Sequence, residues 1–188
     1  MNERLKLISG KQQLVLRPID GQETLAGATE AFRYIDSNFE HWNCDVPGRP
    51  TKETPVQVYE MVSDSTFQEM FGGFGVGLDR LALTQAQVKL FVQRYPGWLK
   101  RGGNGTFFLF NAGEDFFVAV TYLFSDGRLG VRVRRLSLDR VFRAKKRHRL
   151  VLKSLVSAPH RSIRAALSSV GRPPTKFSLA ALFRPVSK

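Results

Sequence analysis

Between Gly105 and Leu136 the apolar pattern predicts three antiparallel strands in succession: Thr106 to Phe110, Phe116 to Phe124, and Leu129 to Arg134. Aromatic and β-branched enrichment favours strand over helix there. Asp126-Gly127 reads as a two-residue hairpin connection, because a type I′ turn needs positive φ at both central residues. The first two strands are apolar on both sides, which predicts cover on both faces. The third alternates, with Leu129, Val131 and Val133 on one side and Arg132 and Arg134 on the other, so one of its faces is expected to be wet and basic. At Arg135-Leu136 the alternation changes parity, which predicts a strand end or a bulge.

Upstream the pattern reads as helical. Ala28, Ala31, Phe32, Ile35, Phe39 and Trp42 recur at helical spacing and predict an amphipathic helix from Leu25, at least to Asp36. Thr54-Pro55-Val56-Gln57 offers an N-cap, a proline at N1 and a capping-box glutamine, so a helix is expected through Val58, Tyr59, Met61 and Val62. Ser65-Thr66-Phe67-Gln68 offers the same kind of start, carries Phe67, Met70 and Phe71 inward, and stops at Gly72-Gly73. Thr84 with Gln87 makes a capping box, Leu83 and Val88 make a hydrophobic staple, and Val88, Phe91, Val92 and Tyr95 form the stripe of a helix ended by Pro96-Gly97. Short strands are expected at Gln13–Arg17 and Leu150–Leu152. The fold class that follows is α+β: helices followed by an antiparallel β-meander, in a single sheet of four or five strands with helices covering one face. Residues 1–151 are assigned to this domain. Residues 152–188 are assigned to a basic Ser/Arg/Pro/Ala-rich tail, expected to be poorly ordered.

Composition supports a packed core, with 43% hydrophobic residues and 15 Phe. Charge changes the picture more. Residues 1–127 hold 12 Lys/Arg against 15 Asp/Glu, whereas residues 128–188 hold 17 Lys/Arg against the single acid Asp139. Such asymmetry points to a polyanion-binding segment or a basic tail. Arg132, Arg134 and Arg135 run on into Arg140, Arg143, Lys145, Lys146, Arg147 and Arg149, and these nine form the candidate polyanion-binding set. On one face they would bind by counterion release, and exposed aromatics beside them would favour a single strand. The Phe residues are expected to be buried, which argues against a single strand.

Other chemistry is sparse. Gly72-Gly73-Phe74-Gly75-Val76-Gly77 follows a helix rather than a strand and lacks a following Gly-Lys-Ser/Thr, so it reads as a helix end and connector. His41, His148 and His160 are far apart in sequence, and no metal site is expected. Cys44, the one cysteine, excludes an internal disulfide, and with His41 it lacks the third group a nucleophile pair needs. Glu60, Glu69, Glu114 and Asp115 give no acid/base pair. No cofactor is expected. Met1-Asn2-Glu3-Arg4 leads into no apolar stretch, and no run of about 18 apolar residues exists, so neither a signal peptide nor a membrane span is expected and a cytoplasmic setting is inferred.

Five stretches together resemble an uncharacterised family of small proteins from candidate-phylum (Patescibacteria-type) bacteria: Val56 to Phe71, Leu83-Thr84-Gln85-Ala86-Gln87, Trp98-Leu99, Gly105 to Phe110, and Phe116-Phe117-Val118-Ala119. The resemblance spans about Ile8 to Val151 and implies no activity, cofactor or site residue. The family's closing strand, similar to Arg147-His148-Arg149-Leu150-Val151, normally continues into valine and proline. Here Leu152-Lys153 follows, so the remainder is expected to be a divergent extension, of the kind a frameshifted reading would produce. The functional expectation is a non-enzymatic domain acting through protein or scaffold contacts. The alternative is nucleic-acid or other polyanion binding through the basic third strand and the segment after it.

Overall fold

The computed structural model describes residues 2–155 apart from 11 and 13. The tail expected from 152 onward lies outside the described residues after 155. Among the described residues eight strands form one mixed sheet. In chain order they are β1 (Leu5–Leu7), β2 (Leu14–Leu16), β3 (Tyr34–Ile35), β4 (Thr54–Met61), β5 (Thr106–Ala112), β6 (Asp115–Leu123), β7 (Leu129–Arg135) and β8 (Arg149–Lys153). The spatial order is β1-β4-β8-β5-β6-β7-β3, and β2 also pairs with β4. Three short helices accompany it: α1 (Asn38–His41), α2 (Phe67–Gly72) and α3 (Gln85–Arg94). The α+β expectation of four or five strands behind several helices is therefore overturned; the structure is mostly strand.

Two predicted helices account for the difference. Thr54 to Met61 is β4, a strand that pairs with β1 and β2 on one side and with β8 on the other. Its Val56 and Val58 point one way and Tyr59 and Met61 the other, so both sides carry apolar residues and helical spacing is imitated. From Leu25 to Trp42 the apolar residues do enter the core, but through turns, the two-residue β3 and the single turn of α1. β7 captures this segment: Arg33 N–H donates to Leu129 C=O at 2.8 Å and Asp36 N–H to Val131 C=O at 3.0 Å.

The helix starts are better determined. Thr84 caps α3, accepting from Gln87 N–H at 3.2 Å while Gln87 Oε1 accepts from Thr84 N–H at 3.0 Å. In α2 the box is Thr66 with Glu69, one residue later than predicted. Ser65 is held extended instead, exchanging main-chain hydrogen bonds with Phe142 at 3.1 and 2.9 Å. The β6–β7 turn differs from expectation too. Only Gly127, not Asp126, has positive φ (80°), so the β6–β7 connection is a three-residue loop closed by a left-handed glycine. Gly113, first of two residues between β5 and β6, has φ 64°, as a type II′ turn requires.

Register builds two cores. On the first face Val58, Val151, Phe108, Ala119 and Val133 stand in one row across five strands. This face is covered by α3 through Val88, Phe91 and Val92, by β2, and by Leu25, Ala28, Phe32 and Phe39. On the second face the row reads Tyr59, Leu150, Phe107, Val120 and Arg132. α2 covers it through Phe67, Met70 and Phe71, with Leu81 and Ala82. Each fully buried Val, Leu, Phe or Met side chain among them contributes about 1.5–3 kcal/mol of transfer free energy. The second row therefore leaves the core at Arg132, where helical cover has ended.

Candidate functional site

The segment from Leu136 to His148 joins β7 to β8 and packs on the second face. Phe142 anchors it. Its ring lies 4.5 Å from Phe67 and 5.0 Å from Phe107, centroid to centroid, while its backbone is bridged to Ser65. One helical turn, Ala144–Lys146, follows, and Arg147 ends it in the left-handed region with φ 49°. Asp64 holds that turn, accepting from Ala144 N–H and from Arg143, both at 2.7 Å.

A cleft of about 270 Å³ opens between this segment and the neighbouring ends of β5 and β6. Phe107, Tyr122, Phe142 and His148 supply aromatic walls, and Arg140, Arg143 and Lys146 supply positive charge. The Arg140 guanidinium carbon lies 5.4 Å from the Phe142 ring centroid. Tyr122 connects the cleft to the open part of the second face. There Arg132 lies between two rings, 5.5 Å from the centroid of Tyr34 and 5.5 Å from that of Tyr122. Tyr34 and Phe124 are both exposed, at 47% and 43%. They close over Gly130, where a Cβ would lie 3.2 Å from Phe124 and 3.4 Å from Tyr34. Cations and rings thus alternate from β3 to the cleft.

The nine basic residues singled out in the sequence separate. Arg132, Arg140, Arg143 and Lys146 belong to this strip. Arg134 instead donates to the largely buried Asp36 at 3.0 Å. Arg135 lies over Trp42, 5.1 Å from its centroid, beside residues of the first core. Arg147 pairs with Glu60, whose side chain is 9% exposed. Arg149 is half-buried against the carbonyls of Gly97 and Leu99. Lys145 is exposed but does not line the cleft. No carboxylate of the described residues forms an ion pair with Arg132, Arg140 or Lys146, whereas Arg143 is shared with Asp64. The charge pattern of the sequence does not mark Tyr34, Tyr122 or Phe124. Tyr122 shares the parity of Val118, Val120 and, across the hairpin, Arg132, which is the signal that would have found it.

His148 is a neutral member of the cleft. Its Nδ1 faces both the Gly105 N–H, at 3.1 Å, and the Gly105 C=O, at 3.2 Å, accepting from the one or donating to the other according to the ring tautomer. Its ring stacks on Phe107, 4.8 Å away. Burial, then the nearby charges of Lys100, Arg140 and Lys146, hold its pKa below the ordinary 6.5 despite the Gly105 contact. The folded state therefore binds fewer protons than the unfolded one just below pH 6.5. Stability linked to His148 is complete above that pH and is lost as pH falls toward the lowered folded value. Thermal melts at pH 7.5 and 5.5 should show a larger acid loss for wild type than for His148→Asn, whose amide offers Gly105 both an acceptor and a donor. Equal losses would contradict this assignment.

Other candidates acquire structural roles. Cys44 is buried, its Sγ donates to Phe39 C=O at 3.4 Å, and burial pushes its thiol up to about 11, so it is no nucleophile at neutral pH. His41 is exposed on α1. Glu69 completes the α2 cap and pairs with Arg4 at 3.0 Å. No His/Cys/Asp/Glu group suited to a metal occurs among the described residues. The Gly72–Gly77 stretch connects α2 to a single turn, Leu78–Arg80. A larger cleft of about 510 Å³ lies by the N-terminus of α3, with one carboxylate, Asp79, and two cations, Arg49 and Lys153. Among the described residues no helix is long and apolar enough to cross a membrane.

Comparison with known proteins places no relative beside this site: no family model, curated protein or solved structure matches the chain.

Proposed function

We propose that this protein binds a nucleic acid or a similar polyanion through the second face of its sheet, from Arg132 to the cleft at Arg140, Arg143 and Lys146. The observation that carries the reading is the set of three cations without carboxylate partners, Arg132, Arg140 and Lys146, set among aromatic rings. Three acids of the N-terminal part each take one basic residue of the C-terminal part: Asp36 takes Arg134, Glu60 takes Arg147 and Asp64 takes Arg143. Among the described residues Arg135, Lys145, Arg149 and Lys153 form no carboxylate pair either, but they lie outside the strip. Within the strip positive potential remains at the surface, and a phosphate backbone gains by releasing its condensed counterions. Of the exposed large apolar residues, Leu7, Val46 and Val62 lie on separate segments, whereas Tyr34, Phe124 and Val141 belong to the strip and cleft that carry the cations.

The test is the salt dependence of binding to mixed RNA and to heparin, followed by fluorescence anisotropy. Affinity of the full chain should fall steeply between 50 and 200 mM salt. Arg132→Ala, Arg140→Ala and Lys146→Ala should each reduce the slope of log K against log salt by about one phosphate contact. Lys145→Ala should change it less. Salt-insensitive binding, or equal slopes for all four variants, would remove the proposal.

A further inference from the structure

We infer that the ligand is a single-stranded nucleic acid whose bases stack on Tyr34 and Tyr122, with the backbone following Arg132, Arg140 and Lys146. This rests on the polyanion reading above and narrows it. Charge alone would favour a duplex, which presents one phosphate charge per about 1.7 Å of axis. The rings argue otherwise. Tyr34 and Tyr122 stand on strands that flank β7, both opposite Gly130. Gly130 has no side chain, the Phe124 ring covers it beside Tyr34, and Arg132, two residues on, meets both tyrosine rings through its guanidinium. An exposed tyrosine held in place by a cation costs little entropy to use as a platform, and every base has a π-face that fits it. A duplex keeps its base faces inside the stack, and α2, the six-residue helix on this face, buries Phe67, Met70 and Phe71 against the sheet instead of presenting them to the roughly 12 Å major groove. Single strands meet both features at once, because splayed bases reach the rings while phosphates reach the cations.

Binding of the full chain is measured by anisotropy with a 12-nucleotide oligo(U), a 12-base-pair RNA duplex and a heparin hexasaccharide. Oligo(U) should bind more tightly than the duplex despite its lower charge. Tyr34→Leu and Tyr122→Leu should each weaken oligo(U) binding by about 5- to 150-fold and leave heparin binding within about twofold. Tyr34→Phe and Tyr122→Phe, which keep the ring, should bind oligo(U) like wild type. Tyr34 is exposed, so its variants report on binding even where Tyr122→Leu perturbs folding. A duplex bound as tightly as oligo(U), or Leu variants with unchanged oligo(U) affinity, would overturn the single-strand inference while leaving the polyanion reading in place. Absence of salt-sensitive binding to all three probes would overturn both.

Discussion

Arg134→Glu should destabilise the protein severely, whereas Arg132→Glu, two residues away on the same strand and face, should leave it folded. The two arginines look equivalent in sequence. Arg134 donates to Asp36 at 3.0 Å, and the Asp36 side chain is only 9% exposed. Asp36 also accepts from Asn38 N–H at 3.2 Å at the start of α1, and its own N–H is tied to β7. Removing the cation leaves a carboxylate that water reaches poorly, and glutamate adds repulsion. Breaking such a pair costs about 3 kcal/mol or more, a large share of a typical 5–15 kcal/mol. A melting temperature lower by roughly 6–12 °C follows for a chain of this size. Arg134→Leu should behave similarly, and adding Asp36→Asn should recover most of the loss, because the uncompensated charge is then gone while the acceptor for Asn38 stays. Arg132 makes only ring contacts at an exposed position, worth about 0.5–1 kcal/mol, so Arg132→Glu tests binding without testing the fold. Equal destabilisation by the two changes would refute the distinction.

The same contrast shows what the sequence could reveal. Two local signals held where both partners were local, although the Asp126-Gly127 turn and the Ser65 box did not. The Thr84–Gln87 box and the staple beside it start α3 at the predicted residue. The strands from Thr106 to Arg135 pair in sequence order because each turn brings its neighbour alongside. β4 failed for the opposite reason. Val58 finds Val151 across more than ninety residues, and nothing near Thr54 reports that partner. Without it, Thr54-Pro55 followed by apolar residues of both parities fits a capped helix as well as a strand with both faces covered. The single-turn α1 and two-residue β3 are likewise imposed by β7 rather than by their own pattern. At the candidate site the sequence located the basic run but not its sorting. Whether an arginine is spent on the fold or free at the surface depends on acids as remote as Asp36 and Glu60. The aromatic half was hidden because Tyr34 lay in a segment read as helix.

Phe67→Ala should produce the other large effect, and it joins the core to the cleft. Phe67 is fully buried. It meets Phe107 edge-on at 5.1 Å, Phe71 at 6.3 Å and Phe142 at 4.5 Å. Truncation removes the transfer free energy of a phenyl ring, leaves a cavity among three aromatic neighbours, and costs about 3–5 kcal/mol. Urea unfolding should show a midpoint shifted down in proportion, with little change in slope if the unfolded ensemble is unaltered. Phe67→Leu keeps more of the volume and should cost less. The consequence for the site follows from position. Phe142 forms a wall of the cleft and rests on Phe67, so its ring loses backing in both variants, while Arg132, Arg140 and Lys146 keep their charges. Phe67→Leu, measured where it is fully folded, should therefore weaken oligo(U) binding without altering the salt slope. A changed slope with unchanged affinity at low salt would mean that the core does not position the cleft.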